Sequence, residues 1–371
     1  MNSDSITLKT EERAIFRLRE LYERYGYTQY KMSKFEEYDL YVRNKSFLVS
    51  DSIITFTDTN GKLLALKPDV TLSIVKNSKD TIGTVQKVYY NENVYRVSAK
   101  THSFREIMQV GLECLGDIDD CCIGEVLSLA AESLGQISPD YILNISHLGL
   151  LSYVMDRINI SPAGKKKLLS CVAEKNSHDL FAVCLEEKAN PGEVELLQHL
   201  TECGGTPDEA LKKLSALLPD DDWQTELARL STLLSLLPKE QIRIDFSIVN
   251  DMNYYNGIAF QGFVNGVPES VLSGGQYDNL MHRMEKKSGA VGFAVYLDRL
   301  DSLAAAKKSY DIDTLLLYPA DAPADAVCNA VKEMASNGNS VTAQKTIPEK
   351  LRYRRLARWT AEGVKIVEEN A

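Results

Sequence analysis

The chain contains acidic and amide side chains at spaced positions that could hold a small amine. Asp69 and Glu113 offer carboxylates that could bind an ammonium group, and Gln109 offers a carboxamide that could orient the bound molecule. An ordinary structural interpretation also exists, because Glu113 lies between apolar neighbours and could simply pair with an arginine. These residue types therefore indicate a binding site only if the fold brings them together.

Tyrosines, glycines and arginines accompany these residues along the chain. Taken singly, Tyr254 and Tyr255 are typical of half-buried strand aromatics, and Gly274-Gly275 is typical of a turn. The arginines, taken singly, could be surface or ion-pairing residues. Taken together and in order, the segments favour a pocket. They are residues 66–71, then 94–96, 104–105 and 109–113, and finally 254–257, 274–278 and 292–299.

Strand and helix patterns surround these segments and must position them. Apolar residues at helical spacing predict a helix over residues 10–25, which ends at Gly26. β-Branched residues on either side of turn residues predict a hairpin over 47–66, and helical spacing resumes over 68–76. The remaining predictions for this part of the chain are strands over 85–97, 106–115 and 141–146 and a helix over 123–135.

The second half of the chain changes character twice. Residues 148–238 are leucine-rich and helical, with helix starts at Ser161-Pro162, Asn190-Pro191 and Thr206-Pro207. From residue 311, strands alternate with helices, which predicts a small parallel β-α unit. The predicted strands of this half are 242–248, 257–264, 291–295, 314–318, 340–343 and 364–367, and the predicted helices near the end are 324–335 and 349–361.

Composition excludes several classes of protein. The 371 residues carry a formal net charge of −10, which argues against broad nucleic-acid binding because phosphate contacts need clustered Lys and Arg. No apolar run is long enough to span a membrane, and the polar N-terminus predicts a cytoplasmic location. Seven cysteines without a C-x-x-C pair predict buried reduced thiols rather than zinc or disulfides. Neither the cysteines nor the histidines predict a metal site, and no phosphate-binding glycine loop is present, so we expect no cofactor.

The ordered segments resemble the catalytic core of histidyl-tRNA synthetase, a class II aminoacyl-tRNA synthetase. The resemblance covers roughly residues 10–305, with a weaker likeness over 311–371. It implies an α+β fold in which a mostly antiparallel sheet is flanked by helices. The implied domains are a synthetase-like core (1–147 and 239–308), a helical insertion (148–238) and a truncated anticodon-binding-like α/β domain (309–371).

The resemblance also assigns roles to individual residues. The matching arginines of the enzymes bind the phosphates of ATP, Arg96 at the α-phosphate and Arg299 at the others. Tyr255 and Tyr277 would form the walls of an imidazole pocket. The implied histidine-like pocket is Asp69, Thr71, Gln109, Glu113, Tyr254, Tyr255, Gly274, Gly275 and Tyr277, and the implied relict nucleotide site is Arg96, Arg105 and Arg299.

Several positions depart from the pattern of the enzymes. Asn250 stands where they carry an arginine that polarises the reacting groups, a kind of contribution typically worth about 3 kcal/mol or more. Tyr296 replaces a glycine beside the adenine site, where a phenol ring would obstruct the nucleotide. Ser98 replaces a glutamate on the adenine side, and Ser33 replaces the proline of the dimer-interface motif. The predicted C-terminal domain also stops short of a full anticodon-binding domain.

A related family keeps this core without aminoacylation chemistry, namely the regulatory subunits of ATP phosphoribosyltransferase. Resemblance to it predicts a non-catalytic subunit, needed for activity and for histidine inhibition of a short catalytic subunit in the first step of histidine biosynthesis. The predicted partners are that subunit, a second copy of this chain and histidine, with the effector site either in the pocket or at the contact between subunits; tRNA and membranes are not expected. The alternatives are a functional histidyl-tRNA synthetase and a synthetase-like module that binds an amino acid or a protein.

Overall fold

The computed structural model describes residues 10–48, 53–81, 83–97, 101–217, 220–249, 254–303 and 310–370. The chain divides into two compact units, residues 1–303 and 304–371. The larger unit contains the predicted pocket segments. Its strands are β1 (Thr28–Gln29), β2 (Phe35–Glu37), β3 (Thr55–Thr57), β4 (Leu63–Leu66), β5 (Val85–Val97), β6 (Phe104–Gly116), β7 (Tyr141–His147), β8 (Ile242–Ile244), β9 (Ile258–Val264), β10 (Leu272–Gln276) and β11 (Gly289–Tyr296).

A mixed sheet of eight described strands forms the centre of this unit. Its order is β1-β5-β6-β11-β10-β9-β7-β8. The pairings from β5 through to β7 are all antiparallel, and only the two edge strands, β1 and β8, pair in parallel. The mostly antiparallel sheet predicted from the sequence is therefore confirmed.

Strands β5 and β6 are each 13 residues long and pair along their whole length. Because side chains alternate along a strand, each strand presents two different faces. Leu112 of β6 and Phe293 of β11 join the large apolar core. Glu113 and Gly292, which are the next residues in register on those strands, lie on the opposite face. This second face carries the cavity described below.

Helices cover the core side of the sheet. Leu18 and Tyr22 of the N-terminal helix and Ile123 of the helix Asp120–Ile137 are fully buried in the large core. The N-terminal helix gives way to Gly26, whose φ of 81° suits glycine. The helices of the core are Thr10–Arg24, Tyr38–Arg43, Thr71–Asn77, Asp120–Ile137 and Asp278–Arg283, with 3₁₀ turns at Lys45–Phe47 and Leu297–Leu303.

The region from residue 148 is helical, as predicted. Its helix starts carry the expected caps: Ser161 and Asn190 accept backbone N–H groups, and Thr206 and Glu209 form a capping box. Each cap satisfies N–H groups that the first helical turn leaves unpaired. The helices are Leu148–Arg157, Pro162–Ala173, Ser177–Glu186, Pro191–Glu202, Pro207–Ser215 and Asp221–Ser235.

The smaller unit contains a four-stranded sheet of order β13-β12-β14-β15. Its strands are β12 (Ile312–Leu317), β13 (Val341–Gln344), β14 (Tyr353–Thr360) and β15 (Gly363–Glu369), and its helix is Ala324–Ser336. The helix predicted over residues 349–361 is wrong, because that segment forms β14, which pairs with β12 in parallel and with β15 in an antiparallel hairpin. The predicted all-parallel arrangement is therefore also wrong.

Two further sequence predictions need correction. Gly274 and Gly275 lie within strand β10 rather than in a turn. All seven cysteines are free, as expected, but Cys121 and Cys328 are exposed rather than buried. No helix in the described part of the chain is long and apolar enough to cross a membrane.

Candidate functional site

A cavity of about 440 Å³ opens on the second face of the large sheet. The strands β6, β9, β10 and β11 provide its base, and the starts of the helices Thr71–Asn77 and Asp278–Arg283 form its walls. Its lining residues are Phe47, Leu48, Asp69, Thr71, Tyr90, Arg96, Gln109, Glu113, Tyr254, Tyr255, Gln261, Ser270, Ser273, Tyr277, Gly292, Phe293, Ala294, Tyr296 and Arg299.

Glu113 lies at the buried end of the cavity, with 2% of its surface exposed. Thr71 donates to its Oε1 atom at 2.8 Å, and Tyr277 donates to its Oε2 atom at 2.6 Å. Both donors are themselves buried hydroxyl groups. A carboxylate can accept further hydrogen bonds beyond these two, so Glu113 retains capacity for a donor from a ligand.

Burial controls the charge of this carboxyl group. The pKa of Glu113 is raised from 4.5 to about 8, chiefly by desolvation. The hydrogen bonds from Tyr277 and Thr71 oppose this rise, and the charge of nearby Asp69 contributes to it. The pKa of Asp69 is also raised by burial, although the N–H group of Leu72 and the charge of Arg96 act in the opposite direction. The site therefore favours a cationic or N–H-rich ligand, which would stabilise the ionised carboxylates.

Aromatic rings form one wall of the cavity. The ring centroid of Tyr254 lies 4.8 Å from that of Tyr255, in edge-on geometry, and 5.7 Å from that of Tyr277, in tilted geometry. Phe47 meets Tyr254 edge-on at 6.0 Å. Such packing holds the rings in place and presents a rigid surface to a flat ligand.

Gly292 makes room for the glutamate. It lies directly opposite Glu113 in the ladder between β6 and β11. A Cβ atom at this position would lie 1.8 Å from Glu113 Oε2 and 2.5 Å from the carbonyl oxygen of Leu112. Only a glycine therefore fits beside the buried carboxyl group.

The opposite end of the cavity is built around Tyr296 and Arg299. The hydroxyl group of Tyr296 lies 2.7 Å from Ser273 Oγ. The guanidinium carbon of Arg299 lies 4.3 Å from the centroid of the Tyr296 ring, and its nitrogens contact Glu269 and the carbonyl oxygen of Ser270. This outer end is satisfied by contacts within the protein.

The structure brings together most of the residues predicted for the site. Asp69, Thr71, Gln109, Glu113, Tyr254, Tyr255 and Tyr277 line the cavity, together with Arg96 and Arg299.

Three predicted site residues do not line the cavity. Gly274 packs against Phe293 and Phe260 on the core side of the sheet, and Gly275 lies behind the ring of Tyr255. Arg105 is exposed at the start of β6, where its charge lowers the pKa of Asp298.

Three of the substitutions singled out in the sequence need a separate account. Asn250 and Ser98 lie outside the described residues. Ser33 accepts a hydrogen bond from the backbone of Phe35 at the start of β2.

Several lining residues were not predicted from the sequence, among them Tyr90, Gln261, Ser270 and Ser273. Tyr90 and Gln261 lie within strands that the sequence predicts. Tyr90 pairs with Gly111, which is two residues before Glu113 on β6, so the alternation of side chains places Tyr90 on the cavity face. Ser273 belongs to β10, a strand that the sequence pattern around Gly274 and Gly275 does not predict.

The family model described as histidyl-tRNA synthetase matches residues 6–300. An ATP phosphoribosyltransferase regulatory subunit from Caldanaerobacter subterraneus subsp. tengcongensis is 30% identical over 295 residues, which cover 76% of this chain and 76% of that protein. A histidine–tRNA ligase from Methanocaldococcus jannaschii is 28% identical over 290 residues, which cover 76% of this chain and 69% of that protein.

A solved structure from Bacillus halodurans, described as an ATP phosphoribosyltransferase regulatory subunit/histidyl-tRNA synthetase, shares the fold. Its TM-score is 0.74 at 22% identity, with 94% of this chain and 93% of that chain covered. The range matched by the family model includes all the strands that build the cavity. The chain therefore belongs to the histidyl-tRNA synthetase-like family that includes the ATP phosphoribosyltransferase regulatory subunits.

Proposed function

We propose that this chain is a non-catalytic regulatory subunit of ATP phosphoribosyltransferase. In this role it activates a short catalytic subunit and makes that subunit sensitive to inhibition by histidine, in the first step of histidine biosynthesis. The observation that carries the proposal is the position of Tyr296, whose ring occupies the outer end of the cavity.

The contacts of Tyr296 oppose adenosine binding. In the enzymes that this chain resembles, a glycine at the matching position leaves room for the nucleotide. Here the phenol is held by Ser273, and its face is covered by the guanidinium group of Arg299. Moving the ring would break the hydrogen bond to Ser273 and the stacking with Arg299. Asn250, which lacks the charge of the arginine in the enzymes, opposes amino-acid activation independently.

The inner end of the cavity supports histidine as the effector. Glu113, Thr71 and Tyr277 form a connected polar group next to an aromatic wall. Such a group can bind the N–H of an imidazole ring while the aromatic rings pack against its faces. Loss of one half of a two-substrate site with retention of the other half fits a protein that senses an amino acid without activating it.

Exposed apolar residues support the predicted dimer. The small sheet of order β2-β4-β3 exposes Phe35, Phe56 and Leu63, and the rings of Phe35 and Phe56 pack together with centroids 5.1 Å apart. An aromatic cluster of this kind on a surface is typical of an interface. We propose that a second copy of the chain covers it. Sedimentation should show a dimer that Phe35→Glu weakens, and a monomeric wild-type chain would contradict this.

Reconstitution tests the main proposal. The full chain would be mixed with a short catalytic subunit, and the rate of phosphoribosyl transfer measured with and without histidine. We expect the rate to rise on addition of the chain, and the stimulated rate to fall when histidine is added. A catalytic subunit that responds to neither addition would refute the proposal.

A second candidate function is histidine activation by a true synthetase. The similarity to the histidine–tRNA ligase and the presence of Arg96, Arg299 and the Tyr254-Tyr255 pair favour it. Histidine-dependent exchange of pyrophosphate into ATP separates the two functions. We expect no exchange above the level without enzyme, and clear exchange would support the synthetase instead.

A further inference from the structure

We propose that a basic strip next to the cavity wall is a docking surface for an acidic face of a partner protein. The basic strip consists of Arg43, Lys79, Arg283, Lys286 and Lys287. None of these five described residues lines the cavity, so the strip is a separate surface. The identification of the partner as the short catalytic subunit rests on the proposed function.

Contacts between distant segments of the chain bring the basic strip together. A terminal guanidinium nitrogen of Arg283 donates to the carbonyl oxygen of Arg43 at 3.2 Å. Lys286 donates from Nζ to the carbonyl oxygen of Ser78 at 2.7 Å, and Lys79 is the next residue along the chain. The strip is therefore one continuous surface, although its members come from three parts of the sequence.

The basic strip carries a net positive charge on an acidic protein. Its three segments, 39–43, 78–80 and 282–287, contain five Lys or Arg residues and three Asp or Glu residues. Their formal charge is therefore +2, whereas the whole chain carries −10. An acidic protein would be attracted to the strip and repelled by the rest of the molecule, which would orient its approach. Nucleic acid is the less suitable partner, because a long polyanion would also meet the acidic remainder of the surface.

The acidic neighbours leave the basic side chains available. Asp80 accepts the backbone N–H group of Lys287 at 2.7 Å, which holds its carboxylate against the backbone. Arg43 meets Asp39 at 3.8 Å, but both side chains are exposed, so that solvent weakens this pair. Within the described residues, Lys79 and Lys287 form no ion pair, and both are exposed. These side chains can therefore meet carboxylates of a partner without breaking contacts within the chain.

Arg283 connects the basic strip to the cavity. Its guanidinium carbon lies 5.9 Å from the centroid of the Phe47 ring. Phe47 lines the cavity and packs edge-on against Tyr254. A carboxylate that bound Arg283 from outside would therefore act next to the aromatic wall. This position suits a partner whose activity responds to a ligand in the cavity.

Affinity for the short catalytic subunit tests the inference. The full chain would be titrated with that subunit in sedimentation experiments at low and at high salt. Lys79→Glu/Lys287→Glu reverses two exposed charges and should weaken binding by at least about tenfold at low salt, with a smaller dependence of affinity on salt.

Lys166→Glu/Lys212→Glu is the matched control, because it reverses two exposed lysines of the helical region and changes the net charge equally. It should change the affinity by less than about threefold. The inference is overturned if Lys79→Glu/Lys287→Glu binds like wild type, or if the control loses as much affinity.

A nucleic-acid role of the basic strip would also overturn the inference. RNA of mixed sequence would be the probe, and wild type that retains RNA better than it retains the catalytic subunit, with loss of RNA in Lys79→Glu/Lys287→Glu, would assign the strip to nucleic acid. Failure of the two proposals can be told apart. If wild type and Lys79→Glu/Lys287→Glu both bind and stimulate the catalytic subunit equally, only the docking surface is refuted. If wild type neither binds nor stimulates it, the regulatory function is refuted as well.

Discussion

The two ends of the cavity satisfy their polar groups in opposite ways. At the inner end, Glu113 is buried and accepts from two hydroxyl groups, Thr71 and Tyr277. At the outer end, Arg299 meets a carboxylate, a backbone oxygen and an aromatic ring. The outer end is complete without a ligand. At the inner end, burial raises the pKa of the Glu113 carboxyl group, which favours a ligand that stabilises the ionised form.

The two ends of the cavity also differ in the residues that strand β11 contributes to them. Gly292 and Tyr296 lie four residues apart on β11 and face the same side of the sheet. At 292 the absence of a side chain makes space for Glu113, whereas at 296 a large side chain fills space. Strand β11 therefore leaves space at the inner end of the cavity and fills space at the outer end. Substitutions at the two ends should therefore differ in their effects.

The largest effect is expected from Gly292→Ala. The new Cβ atom would displace Glu113 or shift the backbone, which should lower the free energy of unfolding by about 3 kcal/mol. Urea unfolding measures the change. Gly135→Ala is the control, because its Cβ atom would meet only Tyr141 at 3.6 Å within a helix, where alanine should be neutral or stabilising by about 0.5–1 kcal/mol. Equal stability of both variants would contradict the crowding at Gly292.

The next largest loss of stability is expected when one hydroxyl group is removed at either end of the cavity. Tyr277→Phe removes a buried donor to Glu113 and should lower the free energy of unfolding by about 2 kcal/mol. Tyr296→Phe removes a partly buried bond to Ser273 and should lower it by about 0.5–1 kcal/mol. Chemical denaturation of both variants at one pH measures the pair. A larger loss for Tyr296→Phe would reverse the proposed contrast between the ends.

Taken per pH unit, the smallest effect is a slope of stability against pH. Because the pKa of Glu113 is about 8 in the folded chain and 4.5 without burial, the folded state binds more protons between these values. The free energy of unfolding should then fall as pH rises through this window, by up to about 1.4 kcal/mol per pH unit for one proton. Glu113→Gln should reduce the slope, leaving the part due to Asp69.

The sequence predicted the large unit well because its signals are local. Strand β5 was predicted with its observed bounds, and the helix starts at Ser161, Asn190 and Thr206 follow from capping residues alone. The close approach of Glu113, Thr71 and Tyr277 could not be derived from spacing. It depends on the register between strands and on where two helices begin, and the resemblance to a known family supplied it.

The smaller unit shows where local signals fail. Residues 353–360 contain three arginines, one leucine and one alanine, and these residue types favour helix. They form a strand because Leu356 and Ala357 are buried by pairing with β12, a contact between distant parts of the chain. Gly363 begins β15 directly after the two-residue turn, and its φ of 121° is a local sign of the hairpin, although the composition favours helix.

Tyr296 also bears on how such a protein could arise from an enzyme. It lies at the end of a ladder in which all eight residues of β11 pair with β6 without a break. Exchange of glycine for tyrosine at the end of that ladder requires no insertion, deletion or change of register. A synthetase-like core could therefore lose room at the outer end of the cavity by side-chain replacement alone, with its strand pairing unchanged.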